Sequence, residues 1–301
     1  MSRRYLALIP LVAILAACGK SSDVELPTYV LLLPESDAEW AQEIEQGFRA
    51  GAEQFFMEFK VIRYRLDAEP GDIVESAVRA GAGPIVAVAP NSELAHTIPL
   101  ACSRRKLPIV LIGHEDPAGA RNALITSAAT NLAYMWKIRW RQLSPPPKNV
   151  LLLFGDSPLD RDELISAFYQ RSNEWRDYKL RVRDLGSATA EDFEWATAVV
   201  PVGEDATKSA LERPPSVAVL PLDGSRASLQ ALQSGRVPIL FAPRYFQLGY
   251  RAARVARDVF LRVRTTSVTV RVPFEEVDAE YLPVYEKKRY EIPSLGGDSS
   301  E

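Results

Sequence analysis

From Thr28 onward the chain alternates between short apolar runs and longer stretches with apolar residues at helical spacing. Residues 28–33 make an apolar run of strand length. Trp40, Ile44, Phe48, Ala52 and Phe55 then recur in steps of three and four, which predicts a helix with one stripe laid against a sheet. Residues 61–66 alternate instead. Ile62, Tyr64 and Leu66 face one way and Arg63 and Arg65 the other, as in a half-solvated edge strand. Runs 85–89 and 109–112 are continuously apolar, which suits central parallel strands covered on both faces. Helical patterns near 71–80 and 91–105 separate them, so this part reads β-α-β-α-β-α-β, a doubly wound unit.

A further helix is predicted over 131–143, and Pro145, Pro146 and Pro147 then break the chain. A second series follows, with strands at 149–154, 180–183, 198–202, 217–220 and 238–242. Helices near 159–174, 204–211 and 225–233 lie among them, and 189–195 is a short helix ahead of strand 198–202. A long helix over 244–263 carries Arg outward and Ala inward, and late strands follow at 266–272 and 274–277. The polar segment after Tyr285 is read as disordered. The expected fold class is α/β, with two doubly wound parallel-sheet lobes in tandem. Ligands in open α/β sheets bind beyond the carboxyl ends of the strands. Those loops are 34–39, 90–92, 113–117, 155–161, 203–205, 221–224 and 242–246. If the lobes face each other, all seven line one cleft.

The start of the chain bears on location. Arg3 and Arg4 precede an apolar run over 5–17 that only Pro10 interrupts, too short to span a bilayer and shaped like a secretory leader. Leu15-Ala16-Ala17-Cys18-Gly19 resembles the bacterial lipobox. That resemblance implies cleavage before Cys18, lipid on its sulfur and new amino group, and a membrane partner. Residues 18–27 form a polar tether. If Cys18 carries lipid, Cys102 is the one remaining cysteine, so no intramolecular disulfide is possible. Cys102 follows Leu94 and Ile98 at helical spacing and is expected in the core.

Composition narrows the function classes. Hydrophobic residues make up 47% of the 301 and charged residues 25%, ordinary globular values that exclude a disordered or polytopic membrane chain. The net charge is -3, and loss of Arg3 and Arg4 with the leader leaves 34 basic against 39 acidic residues. No basic excess is left to neutralise phosphates, so no nucleic-acid partner is expected.

Several stretches resemble the type 1 periplasmic binding proteins of the ribose and galactose class, whose fold lactose-repressor-type regulators share. They include YVLLLPESDAEWAQEIEQGFRAGAEQF, PIVAVAPNSELAHTIPLACSRRKLPIVLIG, VAVLPLDGS and FQLGYRAARVARDVFL, and the resemblance covers roughly 28–280. It implies a three-stranded hinge with crossovers near 127–130, 242–244 and 271–273. Lobe 1 would then hold 28–127 and 243–271, lobe 2 would hold 128–242 and 272–285, and 286–301 would be a tail. It also implies a monomer that closes on a small ligand, sugar-like by resemblance, and passes it to an ABC permease or a membrane sensor.

The family's site maps unevenly onto this chain. Trp40 stands where the family stacks an aromatic on a sugar ring, though it also belongs to the helix stripe. Asp223, before Gly224, matches the family's Asp. The Asp-Arg clamp after the fourth strand is replaced by Gly113-His114, the Asn-Asp pair by Gly203-Glu204, and the crossover Gln by Pro243, beside Arg244 and Tyr245. Arg161 could substitute for the family's Arg, and Asp37, Asn91 and Ser92 complete the candidate set. His114 could equally be a solvated loop residue, and Glu204 could serve as a helix cap.

Catalysis is the rival reading. Gly155-Asp156-Ser157 after an apolar strand looks like a GDSL-esterase block, but a serine nucleophile needs a base. The two histidines, His96 and His114, both lie upstream of it. The sequence also lacks HExxH and CxxC zinc spacings and the phosphate-loop motif. No cofactor, no metal and no enzymatic activity are expected.

Overall fold

A computed structural model describes residues 27–292, except 117–118, 141, 144–145, 173–177, 215–216 and 264–266. The expected leader and lipidation at Cys18, and the residues beyond 292, lie outside the described residues. Ten helices and twelve strands are defined among them.

The first sheet is built as the alternation predicts. Strand β1 (Thr28–Pro34) lies beside β2 (Phe59–Tyr64) on one side and β3 (Ala82–Ala89) on the other. Beyond β3 come β4 (Ile109–Gly113), β5 (Ala123–Ser127) and β11 (Val268–Val272), so the order is β2-β1-β3-β4-β5-β11. All five pairings are parallel. Helices α1 (Glu39–Gln54), α2 (Pro70–Arg79), α3 (Ser92–Arg104) and α9 (Tyr245–Phe260) cover the sheet. The apolar stripe of α1 is realised as far as Ala52: Trp40, Ile44, Phe48 and Ala52 are buried in the main core, and Phe55, just past the helix end, is partly buried against it. Ile44 and Phe48 each add about 1.5–3 kcal/mol by leaving water.

The second sheet has the order β7-β6-β8-β9, again parallel. Its strands are β6 (Asn149–Phe154), β7 (Lys179–Asp184), β8 (Ala198–Val202) and β9 (Ala218–Val219). Helices α4 (Ala129–Trp140), α5 (Arg161–Ser172), α6 (Ala190–Trp195), α7 (Glu204–Leu211) and α8 (Arg226–Gln233) accompany it. Beside it an antiparallel pair joins β10 (Leu240–Ala242) to β12 (Glu275–Val277), and α10 (Leu282–Lys288) packs on that pair with α8. The chain passes between the sheets after β5, after β10 and after β11. This is the expected α/β class, with two doubly wound parallel sheets and three crossings. No helix of the described residues is long and apolar enough to cross a membrane.

Four expectations need correction. Strand β5 was not predicted, because its Thr126 and Ser127 end is polar in sequence yet buried in the sheet. Strand β2 begins two residues earlier than expected, and Leu66 lies exposed beyond its end. Arg63 does not face open solvent alone, since α1 crosses that face and supplies Glu45 at 2.6 Å. Order also does not end at Tyr285. Helix α10 runs to Lys288, and Arg289 is seated against α1. A run rich in Lys and Glu reads as solvated, but Leu282 and Tyr285, three residues apart, supply a buried anchor.

Candidate functional site

The carboxyl ends of the two parallel sheets meet, and their loops bond directly to one another. The Ser36 hydroxyl donates to Asp156 at 2.7 Å, and the Glu39 amide donates to Glu204 Oε2 at 3.3 Å. The Glu115 amide donates to Asp160 at 3.0 Å, and the Arg226 amide donates to Glu39 Oε2 at 3.1 Å. Gly113 makes one close approach possible. Its φ is +108°, and a Cβ there would lie 2.7 Å from the Pro158 carbonyl of the opposing loop.

Two cavities open along this seam. One, of about 420 Å³, takes Ser92, His114 and Glu115 from the first sheet and Asp160, Asp162 and Glu163 from the second. The other, of about 360 Å³, is lined by Ser36, Asp37, Asp156, Glu204, Asp205 and Lys208. Both volumes suit a small molecule, and both linings are rich in carboxylate oxygens, which accept hydrogen bonds from hydroxyl or amine donors.

His114 is buried, with Nδ1 3.8 Å from Asp160 Oδ1. Burial holds its pKa below the ordinary 6.5, outweighing the pull of Asp160 and Asp162. The ring is therefore neutral at pH 7, able to donate through one nitrogen and accept through the other. A depressed histidine contributes stability that is complete above 6.5 and is lost as pH falls through the folded value. His114→Gln cannot take up that proton. Its unfolding curves are expected to lose part of the wild type's acid sensitivity between about pH 7 and about pH 5. Equal sensitivity in both proteins would show that His114 does not titrate on unfolding.

Other polar groups near the seam are taken up by the chain itself. Asp223 is only 3% exposed. It accepts from the Ser225 amide at 3.0 Å and from the Ser225 and Ser228 hydroxyls at 2.5 and 2.6 Å. Burial raises its pKa, opposed by those hydrogen bonds. Tyr245 is buried at the start of α9, its hydroxyl 3.5 Å from Ser157 Oγ, and burial holds its pKa well above 10. Nearby, Glu43 of α1 and Arg289 after α10 form a buried ion pair, with Glu39 3.6 Å from the same guanidinium. Burial pushes the Glu43 carboxyl up to about 7 against the pull of Arg289.

The expected site residues therefore divide. Ser92 and His114 share one cavity, and Asp37 and Glu204 share the other. Asp223 and Tyr245 are both buried, the Asp223 charge helps keep the Tyr245 hydroxyl protonated, and Asp223 spends its oxygens on the turn that caps α8. Trp40 is 3% exposed and packs in the core on the stripe of α1. Asn91 caps α3 through the Leu94 amide at 2.9 Å. Arg161 is turned away to Asp184, with its guanidinium 4.8 Å from the Phe154 ring centre. Arg244 pairs with Glu275 at 3.5 Å. Glu204 Oε1 accepts from Lys208 at 2.6 Å while Oε2 accepts from the Glu39 amide, so both its oxygens are engaged within the chain.

Sequence reasoning missed Glu43, Arg289, Asp160 and Asp156. Asp156 and Asp160 lie within the predicted 155–161 loop, so an acidic loop beyond a strand was the available signal. Glu43 sits on the apolar face of α1 and Arg289 in the supposed tail, and neither carries a local signal.

Ser157 has Tyr245 rather than a histidine beside it, and it accepts from the Leu159 amide at 3.3 Å. His96 and His114 lie against Asp116 and Asp160. Among the described residues no group of three or more His, Cys, Asp or Glu is placed to hold a metal. Cys102 is buried, its thiol pushed up to about 12 by burial, which leaves it protonated and inert.

Solved structures share this architecture. GanP, a glucose-galactose binding protein from Geobacillus stearothermophilus, superposes with a TM-score of 0.73 at 13% identity, over 86% of this chain and 99% of that one. An ABC transporter solute binding protein from Burkholderia graminis, in complex with D-arabinose, gives 0.72 at 12% identity over 86% and 98%. One from Bacillus halodurans with bound myo-inositol gives 0.69 at 15% identity over 87% and 98%. No protein-family model matches the chain, and no curated protein sequence does. At these identities the likeness establishes the fold, that of the type 1 periplasmic binding proteins.

Proposed function

We propose that the chain is an exported, monomeric solute-binding lipoprotein that captures a small polar, sugar-like ligand between its two lobes. In this reading lipid on Cys18 holds it to a bacterial membrane. The observation that carries it is the larger seam cavity. It is lined from both sheets at their carboxyl ends, where α/β sheets take ligands, and it offers carboxylates beside a neutral histidine. A polyol or sugar supplies the hydroxyl donors such a lining needs. The solved structures with the same architecture include binders of glucose and galactose, D-arabinose and myo-inositol, two of them ABC transporter components. Delivery to an ABC permease follows as the role.

The seam also supports a second reading. Direct loop-to-loop hydrogen bonds and the Glu43–Arg289 pair join the lobes through the chain's own groups. A protein closed in this way could present itself to a membrane sensor without carrying solute.

Thermal shift separates the two. The chain from residue 18, with Cys18→Ser, is titrated with D-ribose, D-arabinose, D-galactose and myo-inositol. At 100 times its dissociation constant a true ligand adds about 2.7 kcal/mol of stability, a shift of several degrees. His114→Ala should reduce the shift. No shift with any of the four would end the sugar assignment and favour the sensor reading.

A further inference from the structure

The opposite end of the first sheet carries a different chemistry. Helices α1, α3 and α9 all finish there, where the strands begin. Each ends in a left-handed residue: Phe56 at φ +54°, Lys106 at φ +58° and Arg262 at φ +55°. These are the described non-glycine residues with positive φ. In each case the paired hydrogen bonds of a helix-ending motif are present. Met57 donates to Ala52 and Phe56 to Glu53; Leu107 donates to Cys102 and Lys106 to Ser103; Val263 donates to Asp258 and Arg262 to Val259. That motif normally takes glycine, which has no Cβ to clash in this conformation. Helix α2, ending at the same face, does use glycine, Gly81 at φ +83°.

The strained positions put apolar and basic groups into solvent. Phe56 is 91% exposed, Val263 73% and Leu261 57%. Lys106 and Arg262 are exposed, and Arg104 and Arg105 precede Lys106. Arg105 pairs with Glu75, and Glu53 and Glu58 flank Phe56, so the face is mixed in sign with a basic excess. The chain also enters the fold here. A Cβ on Gly83 would lie 2.7 Å from Pro27, and Tyr29 packs on Phe260 with ring centres 6.1 Å apart.

We infer that this face docks on an anionic phospholipid surface. The inference rests on the proposed anchor at Cys18, since only eight residues lie between Cys18 and Pro27, nine chain steps that can span at most about 30 Å. A face held that close to headgroups meets them at high effective concentration. Apolar side chains enter the headgroup boundary and cations attract anionic lipid. Docking at this end leaves the seam loops free.

The test uses the unlipidated chain from residue 18 carrying Cys18→Ser, which keeps every described residue. It is sedimented with vesicles of equimolar phosphatidylglycerol and phosphatidylcholine, and with phosphatidylcholine alone. Preference for the anionic vesicles is expected, weakened by salt. The triple variant Phe56→Gly, Lys106→Gly, Arg262→Gly should bind about tenfold more weakly or worse. It should also melt at the same temperature or higher, because glycine suits the left-handed positions. Retained binding by the triple variant, or no preference for anionic lipid by the parent, would overturn the inference. A concentration-dependent dimer lost in the triple variant would assign the face to a second copy and overturn it equally. The anchor is judged separately, by whether Cys18→Ser moves the full-length protein out of the membrane fraction in cells. A null result there leaves the vesicle result readable.

Discussion

Arg289→Met is expected to destabilise the protein by about 3–5 kcal/mol, because it removes one partner of a buried ion pair and strands the other. Arg289 and Glu43 are almost wholly covered, with side-chain exposures of 11% and 5%. Methionine keeps much of the volume, so the effect isolates the charge. For a chain of this size the melting temperature should fall by roughly 10 °C. The loss should also depend on pH in a definite direction. Glu43 already titrates near 7 with its partner present, and without Arg289 its pKa must rise further. A carboxyl with a raised folded pKa stabilises most when protonated and loses that contribution as pH rises. The deficit of Arg289→Met should therefore grow from about pH 6 to about pH 8.5. Glu43→Gln in the same background should recover part of it, since a neutral amide needs no counter-charge. The pair joins α1 of the first sheet to the segment after α10 beside the second, so the variant should also speed hydrogen exchange at the Glu39 and Arg226 amides. A pH-independent loss below about 1 kcal/mol would mean that water already screens the pair.

Gly249→Ala should be more damaging than its chemistry suggests. Gly249 lies inside α9, where alanine is the better helix former by about 1 kcal/mol, so local propensity forecasts a gain. Packing forecasts the reverse. An added Cβ would lie 2.0 Å from the Ile44 carbonyl oxygen and 2.8 Å from the Phe48 amide, both backbone atoms of α1. Gly47 of α1 meets α9 in the same way, its Cβ position 1.9 Å from the Phe246 oxygen. Backbone cannot rotate aside, so the two helices must separate and loosen Phe48, Leu248 and Ala252 in the core between them. A loss of about 3 kcal/mol or more is expected, read by urea denaturation. Gly71→Ala is the control. It too lies in a helix, with nothing within 4 Å of its Cβ position, and should gain roughly 0.4–1 kcal/mol. If Gly249→Ala also gains, the close helix contact does not exist in solution.

The fold was largely legible because its signals are local and repeated. Runs 85–89 and 109–112 have no polar position to offer water, so two covered faces follow. The stripe from Trp40 to Phe55 can be buried only by a helix on a sheet. Strand β5 escaped because Thr126 and Ser127 are polar, and they are buried in the fold only where they pair with Arg271 and Val272 of β11. The site was legible as a set of loops and less so as a set of roles. Loop membership follows from strand ends, which placed Ser92, His114, Asp37 and Glu204 around the two cavities. Direction does not follow from it. Arg161 turns to Asp184 and Arg244 to Glu275 because those carboxylates happen to stand nearer than the seam.

By itself the sequence determined the α/β alternation, the two sheets and the loops that follow the carboxyl end of each strand. Each depends on periodicity or spacing over a few residues. Only the tertiary structure decided that Asp223, Tyr245, Glu43 and Arg289 are engaged by the chain's own groups, and that acidic side chains of both sheets line the two cavities. It also decided that Phe56, Lys106 and Arg262 share one face. Glu43 and Arg289 stand 246 positions apart in the chain. Their meeting depends on three crossings between sheets and on a short helix anchored by Leu282 and Tyr285. Contacts at such separation arise from how whole elements pack, and no local run of residues encodes them.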